Sequence, residues 1–230
     1  MQTVPDKNDL RQKVPATRPR RDTRIWFSAP GSKHYESRSF KNQAGSFANI
    51  SITGKSCALG CAHCNARLLQ SMLPAEIPEK LRGAVDHLID RGCRGILVSG
   101  GADSRGEVPL RDFMLAIESA CKRGLKVLVH TGLLQKETAK GLKDCGVNQI
   151  LMDIIGHEQT IHDVYHLDRT PDDYLRSMMI CQEAGLDFAP HVVIGLHYGR
   201  ILGEYEALKM IHQAHPKIIV MVILAPMSGT

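Results

Sequence analysis

The sequence contains no run of eighteen apolar residues, the shortest that would predict a helix crossing a bilayer. Its start also lacks the apolar stretch of a secretory signal, because the charged residues Asp6, Lys7 and Asp9 stand there. These absences argue against a membrane protein and against secretion, so we expect no membrane partner and a cytoplasmic location. With 230 residues, 43% of them hydrophobic, the chain is long enough to bury one sizeable core.

Aromatic side chains are missing from the most basic part of the chain. The positive charge is concentrated there, on lysines and arginines interrupted by prolines: Lys7, Arg11, Lys13, Arg18, Arg20, Arg21 and Arg24, with Pro5, Pro15 and Pro19. Such an arm can bind nucleic acid by releasing counterions. Without stacking aromatics between the charges, a solvated tail is the simpler interpretation, and nucleic acid is not an expected partner. We assign residues 1–46 to a basic N-terminal arm and lead-in segment.

From residue 47 onward, short apolar runs alternate with amphipathic segments. The runs predict strands at 47–53, 95–99, 126–130, 149–154, 188–194 and 217–224. Several are nearly continuous in Val, Ile and Leu, which is typical of parallel strands covered on both faces. Between them, apolar residues recur at helical spacing, and Thr170 followed by Pro171 has the features of a helix start.

Six strand and helix units predict an α/β fold, a partial (βα)6 TIM-like barrel with parallel strands, because right-handed crossovers place every helix outside. A doubly wound open sheet is the alternative, since the sequence does not reveal which way each crossover turns. Both architectures place the active site at the carboxyl ends of the strands. The chain stops directly after the sixth predicted strand, so we expect the barrel domain at 47–230 to lack a C-terminal segment.

Cysteine spacing carries the chemistry of this sequence. Seven cysteines without a signal peptide favour reduced thiols or metal ligands over disulfides. Three of them, Cys57, Cys61 and Cys64, form a C-x3-C-x2-C motif after the first predicted strand. Three close thiolates suit a 4Fe-4S cluster, which would keep one iron open for a non-protein ligand. Zinc held by the same cysteines and His63 is the alternative, although adjacent residues of so short a loop are poorly placed to complete a tetrahedron.

This motif, in this position, resembles the signature of the radical S-adenosylmethionine (SAM) superfamily, and the resemblance covers the chain from about residue 47 to its end. It implies that SAM chelates the open iron and that a donor such as ferredoxin or flavodoxin supplies one electron. SAM then yields a 5′-deoxyadenosyl radical that abstracts a substrate hydrogen.

The family usually has an aromatic residue before the third cysteine, near the SAM adenine; in this sequence that residue is His63. A Gly-Gly-Glu stretch of the family binds the SAM amino group; Gly100 and Gly101 match it, Ala102 replaces the acid, and Asp103 is its expected substitute.

Polar residues also stand in or directly after the later predicted strands. His130, Asp153 and His191, together with Gly195, are expected at the barrel mouth as cofactor-binding residues, and Thr131 follows His130 there. For each polar side chain taken singly, a hydrogen-bonded buried group with a purely structural role is the alternative.

Four stretches resemble the biotin-synthase-like branch, and within it a component of the two-protein lipoyl synthases. They are residues 27–35, 50–64, 98–110 and 225–230. This resemblance implies sulfur insertion into a protein-bound octanoyl chain on a lipoyl-carrier protein, together with a second radical SAM protein and an auxiliary iron-sulfur cluster as sulfur donor. The remaining cysteines lie in or next to predicted helices, as buried structural cysteines often do: Cys93, Cys121, Cys145 and Cys181.

Two other functions stay open at this point. One is a different biotin-synthase-like enzyme of cofactor biosynthesis, such as a methylase, an isomerase or another sulfur-inserting enzyme. The other is a non-catalytic iron-sulfur partner, against which the intact cysteine motif argues. The sequence does not identify the substrate, because loops rather than the fold determine the pocket.

Overall fold

The apolar runs of the sequence form one sheet of seven parallel strands in the computed structural model, which describes residues 36–38, 41 and 45–225. The strands are β1 (Phe47–Ser51), β2 (Leu73–Pro74), β3 (Gly95–Ser99), β4 (Lys126–His130), β5 (Gln149–Asp153), β6 (Phe188–Ile194) and β7 (Val220–Ile223). Six of them lie within the predicted segments. The two-residue strand β2 was not predicted, because so short a segment has no periodicity to recognise.

The strand order β2-β1-β3-β4-β5-β6-β7 distinguishes the two predicted architectures. From β1 through β7, apart from the short β2, each new strand is added on the same side of the sheet. A doubly wound sheet would reverse this order near its middle, whereas a barrel does not. Strands β2 and β7 are the two edges of the described sheet, so the barrel is open. The predicted partial barrel is therefore confirmed and the doubly wound alternative is wrong.

Six α-helices follow the strands in the described part of the chain: α1 (Pro78–Asp90), α2 (Met114–Lys122), α3 (Lys136–Asp144), α4 (Glu158–Tyr165), α5 (Pro171–Glu183) and α6 (Glu204–Ala214). Helix α5 begins as predicted, since the Asp173 carboxylate accepts a hydrogen bond from the Thr170 backbone N–H at 3.0 Å. Helix α1 ends beside Gly92, which has a φ of +78° that favours glycine. None of the helices in the described part of the chain has the length and apolar character that crossing a membrane requires.

Alternation along the strands separates the two faces of the sheet. In β5, Ile150 and Met152 are fully buried, whereas Leu151 and Asp153 on the other face are only half-buried. Because successive side chains point to opposite faces, the first pair packs under the helices and the second faces the concave side. The concave face and its carboxyl-end rim are thus where polar groups can remain accessible.

Some predictions concern residues at the two ends of the chain that lie outside the described part. Most of the basic arm lies there, as do the resembling stretch at 27–35 and all but the first residue of the one at 225–230. The last predicted strand, 217–224, is shorter in the structure, and Met221, Val222 and Ile223 on it are exposed.

Candidate functional site

The cysteine motif lies in a loop of residues 52–66, which we call the cysteine loop, directly after β1. The buried hydroxyl of Ser51 donates to the Gly54 carbonyl at 2.7 Å and turns the chain out of the sheet. Farther along, the Ala58 N–H donates to the Ala102 carbonyl at 2.9 Å, and the Ala62 N–H donates to the Val164 carbonyl at 2.8 Å. The loop is therefore held between the turn after β3 and the end of α4, at the carboxyl ends of the strands.

The three motif cysteines share this loop but differ in environment. Cys61 is buried, whereas Cys57 and Cys64 are half-buried. The ligand atoms of Cys61, His63 and Cys64 lie within 4.8 Å of one another, and Cys57 is outside this group. A hydrogen bond between the two thiols, followed by burial, raises the pKa of Cys61, and the same bond lowers the pKa of Cys64, with His63 lowering it further. Cys64 is thus the member of the pair that is most readily a thiolate, the form that binds metal.

Tyr165, the last residue of α4, connects the cysteine loop to the rest of the rim. Its ring centroid lies 5.0 Å from that of His63, and its carbonyl oxygen is 3.9 Å from the Cys61 sulfur. Its hydroxyl donates to Asp153 Oδ2 at 3.2 Å. Burial, with a contribution from the Asp153 carboxylate, raises the pKa of Tyr165 well above its usual value, so this hydroxyl stays a donor. No local sequence pattern marks Tyr165, because its partners are distant in the chain.

His63 belongs to the cysteine loop and packs against this ring, and its Nδ1 is buried without a hydrogen-bond partner in the part of the chain that the structure describes. A buried imidazole nitrogen of this kind normally has a partner. The expected adenine contact of His63 stays a prediction, and an unpaired nitrogen next to the motif is compatible with a ligand there.

The glycine pair after β3 packs directly against the cysteine loop. The Gly101 N–H donates to Thr53 Oγ1 at 2.7 Å. A Cβ on Gly101 would lie 2.1 Å from the Ser56 carbonyl oxygen and 2.5 Å from the Cys57 Cα. The expected contact of Gly101 with SAM stays a prediction; the contact that the structure shows is with the backbone that carries Cys57.

Gly100 is also closely packed, since a Cβ there would lie 3.1 Å from the Thr53 side chain. The next two residues, Ala102 and Asp103, use their polar groups within the protein. The Ala102 carbonyl accepts from the cysteine loop, and it lies 3.8 Å from the Cys57 sulfur. Asp103 Oδ1 accepts from the Arg105 and Glu107 N–H groups at 2.8 and 3.0 Å, and Oδ2 pairs with the Arg105 guanidinium.

Asp103 is therefore the organiser of a turn in this structure. Burial raises the pKa of its carboxyl, but the backbone N–H groups and Arg105 together lower it below the usual value. Its expected role as a substitute acid for the SAM amino group stays a prediction, and Arg105 is its present ion-pair partner.

Three polar residues predicted at the barrel mouth come together on adjacent strands. His130 ends β4, Asp153 ends β5, and His191 is the register partner of Asp153 on β6. Asp153 Oδ1 lies 3.8 Å from His130 Nε2 and 3.6 Å from His191 Nδ1. Partial burial raises the pKa of Asp153, but the two imidazoles lower it more, so its carboxyl is ionised well below the usual range.

The hydrogen bonds of Gly195 and Thr131 are made outside this cluster. The Gly195 N–H donates to Glu204 Oε1 at 2.8 Å, and the Thr131 hydroxyl donates to the adjacent Gly132 carbonyl at 2.9 Å. Gly195 has a φ of +77°, which explains glycine at the end of β6 without a ligand. Its expected cofactor contact stays a prediction.

The four cysteines outside the motif lie in or beside the helical layer, as predicted. Cys93, Cys145 and Cys181 are buried and Cys121 is half-buried. Burial raises the pKa of Cys121 to about 11 and that of Cys181 to about 12, which disfavours thiolates. Within the described residues, these cysteines join no group of three close potential metal ligands. An auxiliary cluster therefore stays a prediction.

The cysteine loop fits an iron-sulfur cluster by its donor set, because it supplies three thiolate ligands from one rim loop. Cys61, His63 and Cys64 also lie close enough together to supply three of the ligands of a zinc ion, as the zinc alternative requires. This geometry is compatible with both an iron-sulfur cluster and zinc. The similarity of the chain to known proteins distinguishes between them.

Residues 51–215, which are most of the chain, match the family model of the radical SAM superfamily. The biotin synthase of Geobacillus thermodenitrificans (strain NG80-2) is 31% identical over 159 residues, covering 64% of this chain and 46% of that protein. The Fe-coproporphyrin III synthase of Methanosarcina barkeri (strain Fusaro / DSM 804) is 27% identical over 133 residues, covering 56% of this chain and 32% of that protein.

The crystal structure of methylornithine synthase resembles this chain with a TM-score of 0.60 at 13% identity, covering 80% of this chain and 55% of that one. At that identity the likeness shows the fold alone. The matched region spans about a third to a half of the length of the two relatives compared by sequence.

Proposed function

The chain belongs to the radical SAM superfamily, and we propose that it cleaves SAM to begin sulfur insertion into a protein-bound octanoyl chain. The observation that carries the first half of this proposal is the position of the cysteine motif. It lies at the carboxyl-end rim of an open parallel barrel, where the ends of β3, β4 and β5 also bring their polar groups. When bound, a 4Fe-4S cluster and SAM supply the electron and the 5′-deoxyadenosyl radical that removes a substrate hydrogen.

The residues of the chain prepare this site in three ways. The hydrogen bonds from Ala58 to Ala102 and from Ala62 to Val164 hold the loop in place. Cys57, Cys61 and Cys64 are the residues that would hold the cluster, and the low pKa of Cys64 favours the thiolate form. The half-buried rim excludes part of the water, and a radical site needs this exclusion to avoid competing reactions.

Sulfur insertion is supported by the stretches at 50–64 and 98–110, which resemble the two-protein lipoyl synthases, and by the relative named biotin synthase. The octanoyl substrate, the lipoyl-carrier protein, the second radical SAM protein and the auxiliary cluster are parts of this proposal. The concave face of the open barrel would accommodate an extended acyl chain, since Leu128 and Leu151 are half-buried there.

The proposal is tested in two stages under anaerobic conditions. Reconstituted protein with SAM and dithionite should give methionine and 5′-deoxyadenosine, and Cys64→Ala should abolish both. Cys121→Ala is the matched control, because Cys121 is also half-buried but lies in α2, and it should retain activity. SAM cleavage by Cys64→Ala at the wild-type rate would contradict the cluster assignment.

In the second stage, an octanoylated carrier peptide and the second radical SAM protein are added, and mass spectrometry follows the peptide. We expect a mass gain of sulfur that depends on all three motif cysteines. SAM cleavage without sulfur gain, in the presence of a competent partner, would refute the lipoyl proposal.

That outcome would favour the second candidate, a different reaction of cofactor biosynthesis. The observation in its favour is the 27% identity to a protein named Fe-coproporphyrin III synthase. Its distinguishing test is turnover of a porphyrin substrate in place of the acyl peptide.

A further inference from the structure

We propose that His130, Asp153 and His191 bind one divalent transition-metal ion at the barrel mouth, separate from the cysteine loop. This goes beyond the proposed function, which does not require it. The three residues belong to adjacent parallel strands, and their ligand atoms lie within 4.8 Å of one another. The group is one of two such ligand groups in the described part of the chain, and the other is in the cysteine loop.

Strand register places the three side chains on one face of the sheet. Asp153 and His191 are register partners, and His130 pairs with Leu151, two residues before Asp153. Residues two apart on a strand point the same way, so all three face the concave side. The arrangement is therefore built into the backbone and does not depend on flexible loops.

The distances fit an ion better than they fit direct hydrogen bonds. Asp153 Oδ1 lies 3.8 Å from His130 Nε2 and 3.6 Å from His191 Nδ1. Both separations exceed the usual limit of about 3.2 Å for a nitrogen-oxygen hydrogen bond. Two ligand atoms bound to one ion at about 2.1 Å each, in a tetrahedral arrangement, are about 3.4 Å apart. An ion between the three atoms would therefore require only small movements.

The surroundings of Asp153 support a ligand role for one of its oxygens. Tyr165 donates a hydrogen bond to Oδ2 at 3.2 Å, whereas Oδ1 is the oxygen that faces the two imidazoles. Outer-shell hydrogen bonds of this kind orient ligating carboxylates in metal sites. Tyr165 thus leaves one oxygen directed at the candidate site.

The donor set indicates the class of ion. Two imidazoles and one carboxylate suit Fe²⁺, Co²⁺ or Zn²⁺, whereas the thiolates of the cysteine loop suit iron-sulfur chemistry. The side chains of His130, Asp153 and His191 are 26%, 27% and 18% exposed, so the site is open on one side. Three protein ligands would leave coordination positions for an oxygen, nitrogen or sulfur atom of a small molecule entering the mouth.

The test is equilibrium dialysis of the reconstituted full chain against Co²⁺, without SAM or reductant, with metal analysis and EPR of the bound ion. We expect about one Co²⁺ per chain with nitrogen hyperfine coupling from imidazole. Asp153→Asn, His130→Ala and His191→Ala should each weaken binding about tenfold or more. Thermal unfolding of each variant establishes that it is folded, and three separate variants keep the test decisive if one fails to fold.

His162→Ala is the matched control, because His162 forms an exposed pair with Asp163 and belongs to neither of the two ligand groups found in the described part of the chain. It should bind Co²⁺ like the wild type. Equal binding in the wild type and in all three site variants would overturn the proposal, as would binding lost only when the motif cysteines are replaced. A separate SAM-binding titration of the folded site variants completes the test: loss of SAM affinity with no change in Co²⁺ binding would overturn the proposal and identify a SAM subsite. Because no turnover is measured, failure of sulfur insertion would not affect this result.

Discussion

Replacing Gly101 with alanine should disturb the cysteine loop although it adds a single methyl group. The new Cβ would lie 2.1 Å from the Ser56 carbonyl oxygen, whereas ordinary contact begins at 3.4 Å. The neighbours on that side are backbone atoms and the Cys57 Cβ, so no flexible side chain can move aside. The loop or the turn after β3 must therefore shift by about 1 Å, in a region of closely packed backbone.

The magnitude follows from the contacts that this shift disrupts. Overpacking in a closely packed region costs about 1–3 kcal/mol. The shift also strains the Gly101 hydrogen bond to Thr53 and the bond from Ala58 to Ala102, each contributing about 1 kcal/mol. We expect the free energy of unfolding to fall by about 2 kcal/mol, which lowers the melting temperature by about 4–8 °C for a chain of this size.

The assay measures the melting temperature of the apoprotein, and iron and sulfide content after anaerobic reconstitution. Gly101→Ala should lower both, because displacement of Cys57 removes one of the three cluster ligands from its position. Gly83→Ala is the matched control: this exposed glycine in α1 has no atom within 4 Å of a new Cβ, and alanine favours helix by about 1 kcal/mol. Wild-type iron content and melting temperature in Gly101→Ala would refute the reasoning.

Three further results are expected. Replacing all three motif cysteines with alanine should remove the oxygen-sensitive cluster, as measured by iron content, while Cys121→Ala retains it; equal iron in both would contradict the assignment. Tyr165→Phe should lower the free energy of unfolding by about 1–2 kcal/mol in urea, because it deletes the hydrogen bond to Asp153 but keeps the ring; an unchanged urea midpoint would mean that this bond contributes nothing. The pKa of the Asp103 carboxyl is lower in the folded than in the unfolded protein. Its carboxylate therefore stabilises the fold fully above the unfolded pKa of about 3.9, and this stabilisation is lost as the pH falls through the lower folded pKa. Urea unfolding at acid pH should therefore show a flatter pH dependence for Asp103→Asn than for the wild type, and identical slopes would count against this role of Asp103.

The strands and the cysteine motif could be predicted from the sequence because their signals are local. An apolar run such as that of β3 is recognisable without knowledge of its neighbours, and the spacing of Cys57, Cys61 and Cys64 places three thiols in one loop wherever that loop lies. The expected position of His130 and Asp153 at strand ends was correct for the same reason. The short β2 was missed because two residues carry no periodic signal.

Only the tertiary structure decided which distant groups meet. Strand register brings His191 beside Asp153, and no property of either segment alone specifies that register. Tyr165 contacts His63 and Asp153 because α4 folds over the rim, and Gly101 is a glycine because the Cys57 backbone occupies the space of its missing side chain. These contacts depend on the direction in which each crossover turns and on the level at which each strand ends, and both are properties of the packed sheet.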